Sequence, residues 1–235
     1  MNENLDLELM VIQSEALFTH DGHGRLLCIN EPETNVPAPR LFLGRTRIGN
    51  IWRFRADLPD DLTSELEKLC ADEPVIDDLK TPPRHQDEYQ RLLEKHAPVK
   101  KFSSGPAYYF EDYPEPATPL VAIIEANSEL LRGGFEDCLE EVPTWQPFIA
   151  AVENNRAVSV CRSVRITAAA HEAGVETLPE FRGRGYAKDV AAGWALAVKA
   201  MGAIPLYSTS WDNVASQAVA RKLGLKLFGA DFDIT

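Results

Sequence analysis

Apolar and polar positions follow a regular order along the second half of the chain. Runs rich in β-branched residues predict strands, whereas apolar residues at i, i+4 and i+7 predict helices. The predicted elements are, in order, a strand at 119–125, a helix at 127–141 interrupted by a glycine pair, a hairpin of strands 147–152 and 157–161, a strand at 168–178, a helix at 186–201, a strand at 204–208, a helix at 213–223 and a terminal strand or hairpin at 226–234. This order predicts an α/β fold.

The helix at 186–201 carries an apolar stripe that runs from Val190 to Met201. Because its members recur at helical spacing, the stripe predicts a face packed against a sheet and needs no functional interpretation.

The first half of the chain is less regular. Its pattern predicts helices at 5–16, 62–70 and 86–96, strands at 40–43 and 50–55, and a hairpin around the Asp21-Gly22 pair. From Asp77 to Gly105 the composition shifts toward proline and charged residues, which indicates a connector. We therefore divide the chain into a smaller α/β region of unknown role at 1–104 and a second domain at 105–235.

The segment Thr177–Ala187 is the most informative of the sequence. It passes from a strand through two glycines into a helix. Without Cβ atoms, Gly183 and Gly185 let the backbone turn tightly and present its N–H groups to a ligand. These amides and the positive end of the following helix suit a diphosphate, and Arg182 and Arg184 add cationic donors. The segment predicts a phosphate-binding loop.

A dinucleotide-binding fingerprint is the first alternative for this loop. The third glycine of that fingerprint would fall on Lys188, which obstructs close helix packing. The acidic ribose partner expected about 20 residues further on is also missing, since 203–206 reads Ala-Ile-Pro-Leu. An NADP-type oxidoreductase stays as a second alternative function.

The order of residues in Arg182–Ala187 resembles the acetyl-CoA signature of the GNAT superfamily of N-acetyltransferases, which is Gln or Arg, two variable residues, Gly, a variable residue, then Gly or Ala. Asn213, Gly224 and Leu225 also fall at the spacing of that family's fourth-helix motif. The resemblance implies the GNAT fold for 105–235, with a mixed central sheet flanked by helices. The first region lacks such a loop, and if it is related it has lost that site.

The resemblance also implies the residues that bind the donor, acetyl-CoA, with no metal involved. In the family the strand before the loop diverges from its neighbour, and a backbone amide contacts the thioester carbonyl. Thr177 occupies that position here. The implied cofactor-binding residues are Val175, Thr177, Arg182, Gly183, Arg184, Gly185, Tyr186, Ala187, Asn213 and Ser216.

A protonated amine has to lose a proton before it attacks a thioester. The candidate bases are His171, Glu172 and Glu176, and family members that place a base on this strand have it about six residues before the amide, at His171 or Glu172. Strand side chains alternate between faces, so these two neighbours cannot both point inward from a regular strand. We favour Glu172.

The departing thiolate is protonated in many family members by a tyrosine of the fourth helix. Ala220 stands at that position here. Tyr207 and Tyr186 are candidate substitutes. A thiolate also leaves without an acid, so a catalytic protein and a non-catalytic acyl-CoA-binding or sensing module both stay open.

The composition limits the classes of partner and the location that we expect for the protein. The chain has 235 residues and a formal net charge of −12, which opposes general binding to nucleic acid. The four cysteines are scattered, and the His20 and His23 pair lacks further ligands, so we expect reduced thiols and no metal site. The acidic start and the lack of a membrane-length apolar run predict a cytosolic protein.

These patterns together predict an acetyl-CoA-dependent N-acetyltransferase that passes acetyl directly to a primary amine in a ternary complex. The expected acceptor is an amine of a small molecule or a peptide. A homodimer is left open.

Overall fold

The computed structural model describes residues 4–32 and 35–235. They form two compact units. The first contains the described residues up to Tyr108 together with Ser208–Asn213 and Leu227–Thr235, and the second contains Tyr109–Tyr207 and Val214–Lys226. The chain therefore returns to the first unit at its C-terminus. The boundary between residues 104 and 105 stays a prediction.

The described residues form five α-helices and eleven strands, joined by loops and short 3₁₀ segments. In chain order they are α1 (Leu5–Leu17), β1 (Phe18–His20), β2 (Leu26–Ile29), β3 (Leu41–Arg45), β4 (Asn50–Phe54), α2 (Asp60–Asp72), α3 (Gln86–Glu94), β5 (Phe102–Tyr109), β6 (Leu120–Ala122), β7 (Phe148–Glu153), β8 (Arg156–Ile166), β9 (Ala170–Thr177), α4 (Tyr186–Ala200), β10 (Ile204–Ser208), α5 (Val214–Leu223) and β11 (Lys226–Ile234).

The first unit is built on a sheet with the strand order β4-β3-β11-β5. The last strand of the chain pairs antiparallel with β3, with Phe232 opposite Leu43. Apolar side chains of β3, β4 and β11 pack with α2 and α3 around Leu66, Tyr89 and Leu93. The hairpin of β1 and β2 forms as predicted, with Asp21 accepting hydrogen bonds from the turn.

The second unit is built on a sheet with the order β10-β9-β8-β7-β6. The β9–β10 pair is parallel and the other pairs are antiparallel, so the sheet is mixed. On one face α4 packs against β7, β8 and β9 and buries Val190, Trp194 and Val198. The other face is covered by the segment 123–142. The predicted fold class, α/β with a mixed sheet flanked by helices, is confirmed.

Three details differ from the predictions, and the last segment settles an open alternative. The apolar stripe ends before Met201, which is 61% exposed because α4 stops at Ala200. The predicted helix at 127–141 is wrong: two short 3₁₀ segments, Glu125–Leu131 and Glu136–Cys138, flank Gly133, whose φ of +91° ends any helix. The strand predicted at 119–125 keeps only the residues of β6. Of the two alternatives predicted for the terminal segment, the structure has the single strand.

The connector predicted from Asp77 to Gly105 is wrong at its end, where β5 begins at Phe102. The sequence of β5 contains glycine and proline and has no clear alternation, so tertiary pairing forms this strand. Gly105 is required there, since a Cβ atom would come within 1.6 Å of the Thr209 carbonyl oxygen.

Candidate functional site

The loop between β9 and α4 has the backbone of a ligand cradle. After a 3₁₀ turn at Pro179–Phe181 the chain adopts left-handed conformations at Gly183 (φ +78°) and Gly185 (φ +97°), and α4 begins at the next residue. A Cβ atom at either glycine would meet no heavy atom within 4 Å. Backbone conformation therefore explains both glycines, and the space next to them is open.

The backbone amides of this loop form a candidate site for an anion. In the part of the chain that the structure describes, the N–H groups of residues 183–187 have no hydrogen-bond acceptor. They lie at the N-terminal, positive end of α4, a helix of 15 residues. Unpaired amides at the start of a helix form an anion-binding site.

The arginines of the loop hold its shape. Arg182 donates from Nε to the Thr177 carbonyl oxygen at 3.2 Å, and Arg184 donates to the Glu180 carbonyl oxygen at 2.9 Å. The guanidinium of Arg184 lies 4.9 Å from the centre of the Phe181 ring, and that of Arg156 lies 5.6 Å from the same centre. These exposed cations place positive charge around the open amides.

The strand before the loop offers a free edge. The Leu178 N–H donates to the Val158 carbonyl oxygen of β8 at 3.0 Å. Because alternate residues of an antiparallel strand direct their N–H and C=O groups to opposite sides, Val175 and Thr177 direct theirs away from β8. The contact of Arg182 with the Thr177 carbonyl fits this direction.

The neighbour on that side, β10, accompanies β9 only in part. The parallel pairing runs from Ile204 opposite Ala170 to Leu206 opposite Glu172, and among the described residues no strand pairs with β9 on this side beyond Glu172. Apart from the Thr177 carbonyl, which Arg182 contacts, the edge from Ala173 to Thr177 is therefore open to a ligand that forms strand-like hydrogen bonds.

The candidate base His171 is part of a buried network. Its Nδ1 lies 2.9 Å from Ser163 Oγ, which also accepts a hydrogen bond from Trp194 Nε1 at 3.0 Å. Burial lowers the pKa of His171 and favours the neutral imidazole.

The two candidate carboxylates leave β9 on the face opposite to His171. Glu172 is 2% exposed. Glu176 is exposed, and its carboxylate accepts a hydrogen bond from Arg162 Nη1 at 2.7 Å. Arg162 also binds Glu141 at 2.9 Å and lies 5.0 Å from the centre of the Trp145 ring. The catalytic assignment among these residues stays a prediction.

The candidate acids differ in their contacts. Tyr207 on β10 is 3% exposed, and its hydroxyl lies 2.7 Å from Ser216 Oγ on α5. The Tyr186 hydroxyl contacts the Glu153 carboxylate. Ala220 is fully buried on α5, and Asn213 immediately precedes this helix with its N–H bonded to the Ser210 carbonyl.

Several residues around the site escaped the sequence analysis. Asp189 in the first turn of α4 accepts hydrogen bonds from the N–H groups of Ala117 and Thr118 and from the Thr118 hydroxyl. Although burial opposes it, these bonds and Lys188 hold the pKa of Asp189 below its ordinary value. The signal in the sequence that could have identified Asp189 was a carboxylate beside the apolar stripe of α4. Arg162, Ser163 and Trp194 gave none, because their partners lie on other elements.

The described residues contain no cluster of His, Cys, Asp or Glu that could hold a metal ion. The four cysteines are free thiols, three of them buried. None of the helices in the described ranges is long and apolar enough to cross a bilayer.

The segment that contains this site matches a known family. Residues 149–230 match the family model described as GNAT acetyltransferase. This segment is similar to GNAT acetyltransferases. The open amides and the free edge of β9 fit the diphosphate and the amide-containing arm of acetyl-CoA, the donor that this family uses.

Solved structures of GNAT proteins are similar to the chain at low identity. A GCN5-related N-acetyltransferase-like protein from Streptococcus suis 89/1591 is 18% identical over 84% of this chain and 85% of that one, with a TM-score of 0.49. A GCN5-related N-acetyltransferase from Sphaerobacter thermophilus is 16% identical over 85% and 76%, with a TM-score of 0.49.

A GNAT-family protein from Novosphingobium aromaticivorans DSM 12444 is 18% identical over 58% of this chain, with a TM-score of 0.47. The chain covers 65% of that protein, slightly less than two thirds of its length. No curated protein sequence matches the chain.

Proposed function

We propose that the protein transfers the acetyl group of acetyl-CoA directly to a primary amine of a small molecule or a peptide. The observation that carries this proposal is the continuity of the free edge of β9 with the open amides of residues 183–187. One ligand with a strand-like arm and a diphosphate can satisfy both at once, and acetyl-CoA has this chemistry.

The free edge supplies the electrostatic part of the reaction. When an amine attacks the thioester, negative charge develops on the carbonyl oxygen, and a fixed backbone N–H stabilises that charge. The amide of Thr177 points away from β8 and is our candidate donor. A base on β9 takes the proton of the amine, the carbon–sulfur bond breaks, and the thiolate leaves or takes a proton from Tyr207.

A binding or sensing module is the second candidate function. The buried Ala220 is the observation that favours it, because α5 carries no hydroxyl where many family members have their acid. The loop would then bind acyl-CoA without turnover.

Binding and turnover separate these functions. We expect acetyl-CoA and CoA to raise the melting temperature, since a ligand that binds the folded state stabilises it, and NADPH to have no effect. Stabilisation by NADPH alone would contradict the proposal in favour of an oxidoreductase. A panel of amines, assayed for CoA release by thiol detection, should give turnover; tight binding without any turnover supports the sensing module.

The setting of the reaction belongs to the proposal as well. We propose that the protein is cytosolic. We also propose that it has no nucleic-acid partner, because the net charge of −12 repels phosphates. The same charge favours a cationic acceptor near the protein surface.

A further inference from the structure

Three buried side chains in the second unit form a hydrogen-bonded chain that ends on His171. Trp194 on α4 contacts Ser163 on β8 at 3.0 Å, and Ser163 contacts His171 on β9 at 2.9 Å. Trp194 and Ser163 are 0% exposed and His171 is 3% exposed. Solvent therefore does not satisfy the atoms that join them, and their polar groups have to pair with each other.

The chemistry of the three groups determines which atom donates in each of the two hydrogen bonds. An indole N–H only donates, so Ser163 Oγ accepts from Trp194. The hydroxyl proton of Ser163 then needs an acceptor, and within the described residues its remaining contact is His171 Nδ1. The reverse arrangement, with Nδ1–H donating to Ser163, would leave a buried hydroxyl proton without an acceptor, which is costly.

We infer that Trp194 and Ser163 hold His171 as the neutral tautomer that carries its proton on Nε2. In this form the imidazole offers a hydrogen-bond donor at Nε2 and has its acceptor nitrogen occupied. Trp194 and Ser163 are then positioning residues, and His171 takes the proton of an amine only if its hydrogen bond with Ser163 is lost.

The role of these two hydrogen bonds in the reaction rests on the proposed function, whereas the tautomer of His171 does not. If His171 is a donor, the proton of the acceptor amine goes to a carboxylate. The two candidate carboxylates on β9 are Glu172, the neighbour of His171, and Glu176, which accepts a hydrogen bond from Arg162.

Nuclear magnetic resonance reads the tautomer directly. The full chain, labelled with ¹⁵N at its five histidines, is measured in a long-range ¹H–¹⁵N correlation at pH 7.5, and His171→Gln assigns the signals. We expect a protonated Nε2 and an unprotonated Nδ1, with this tautomer in roughly tenfold or greater excess because of the unpaired hydroxyl in the alternative. A protonated Nδ1, or two nitrogens averaged to equal shifts, overturns the inference.

Two serine variants test the cause. Ser163→Ala removes the donor to Nδ1, so the two ¹⁵N shifts of His171 should move toward each other. Ser159→Ala removes an equally buried hydroxyl of β8 that contacts Thr177 instead, and should leave the shifts unchanged. Unchanged shifts in Ser163→Ala contradict the inference, and the wild-type spectrum decides even if that variant does not fold.

Calorimetry with acetyl-CoA on the same samples keeps the two proposals apart. If the expected tautomer is observed but acetyl-CoA does not bind, the proposed function is contradicted and the inference about the His171 tautomer is supported. Binding and turnover with the opposite tautomer would do the reverse.

Discussion

At the scale of single residues, His171 and Glu172 are neighbours in sequence but lie in different surroundings. The pleat of β9 sends His171 toward Ser163 and α4, and Glu172 to the opposite face. The three candidate bases also differ in burial and in position along β9. Glu176 is held by Arg162, His171 has its Nδ1 occupied, and Glu172 is the buried carboxylate beside the end of the β9–β10 pairing.

Glu172→Gln should lower kcat by about 10²-fold, because general-base catalysis contributes at least that much, with little change in the Kd of acetyl-CoA. Steady-state kinetics with an active amine and calorimetry measure the two quantities. Glu176→Gln is the matched control and should keep most of the activity. Full activity of the Glu172 variant beside an inactive Glu176 variant would reverse the assignment.

Tyr207→Phe should lower kcat and leave the fold intact, since it removes one hydroxyl that lies 2.7 Å from Ser216 Oγ and keeps the ring. A fall of about 10²-fold is expected for the loss of a general acid. Tyr113→Phe, in a ring stacked on Phe110, serves as the control with unchanged kcat. Equal rates for both variants would exclude Tyr207 as the acid.

At the scale of elements, the site depends on where a strand loses its partner and where a helix begins. Pairing of β10 with β9 stops at Leu206, and α4 starts directly after Gly185. The N–H groups of residues 183–187 have no acceptor in the described structure, and we propose that these groups rather than side chains bind an anion.

Gly185→Glu should weaken acetyl-CoA binding by at least about tenfold, or about 1.4 kcal/mol, because the side chain enters the open space and repels a diphosphate. Calorimetry measures the effect. Gly202→Glu is a matched control at the other end of α4, where the glycine also has positive φ (+81°) and no heavy atom near its Cβ position. Both variants place a side chain at a positive φ, so equal affinities would refute the loop as the binding site.

At the scale of the whole molecule, charge and burial set the response to pH. The chain carries a formal net charge of −12, and one of its carboxylates, Asp233 on β11, is partly buried in the first unit. Burial raises the pKa of Asp233 from its ordinary value of 3.8 to about 6, although Lys101 and a hydrogen bond with Ser103 favour the charged form.

Asp233→Asn should therefore stabilise the protein at neutral pH. Between pH 3.8 and about 6 the folded state binds more protons at Asp233 than the unfolded state, so wild-type stability falls as pH rises through this window. Urea unfolding should show an advantage of about 1 to 3 kcal/mol for the variant above pH 6, and less near pH 4. Asp212→Asn, at an exposed position, controls for the loss of one charge. A constant advantage at all pH values would contradict this account.

The sequence by itself determined the helices and strands with strong periodicity and the conformation of the loop. Tyr186–Ala200 and Ile204–Ser208 follow from spacing, and the left-handed turns at Gly183 and Gly185 follow from residue type, because both depend on local sterics and local burial patterns. The prediction that the loop binds phosphate rests on the same local facts.

Only the tertiary structure decided how far β10 accompanies β9, which strand receives the C-terminus, and which partners His171, Glu176 and Tyr207 have. Strand pairing joins residues far apart in the chain, as between Phe232 and Leu43, and no local pattern specifies it. The same holds for the contact of Trp194 with Ser163, 31 residues apart, on which the role of His171 depends.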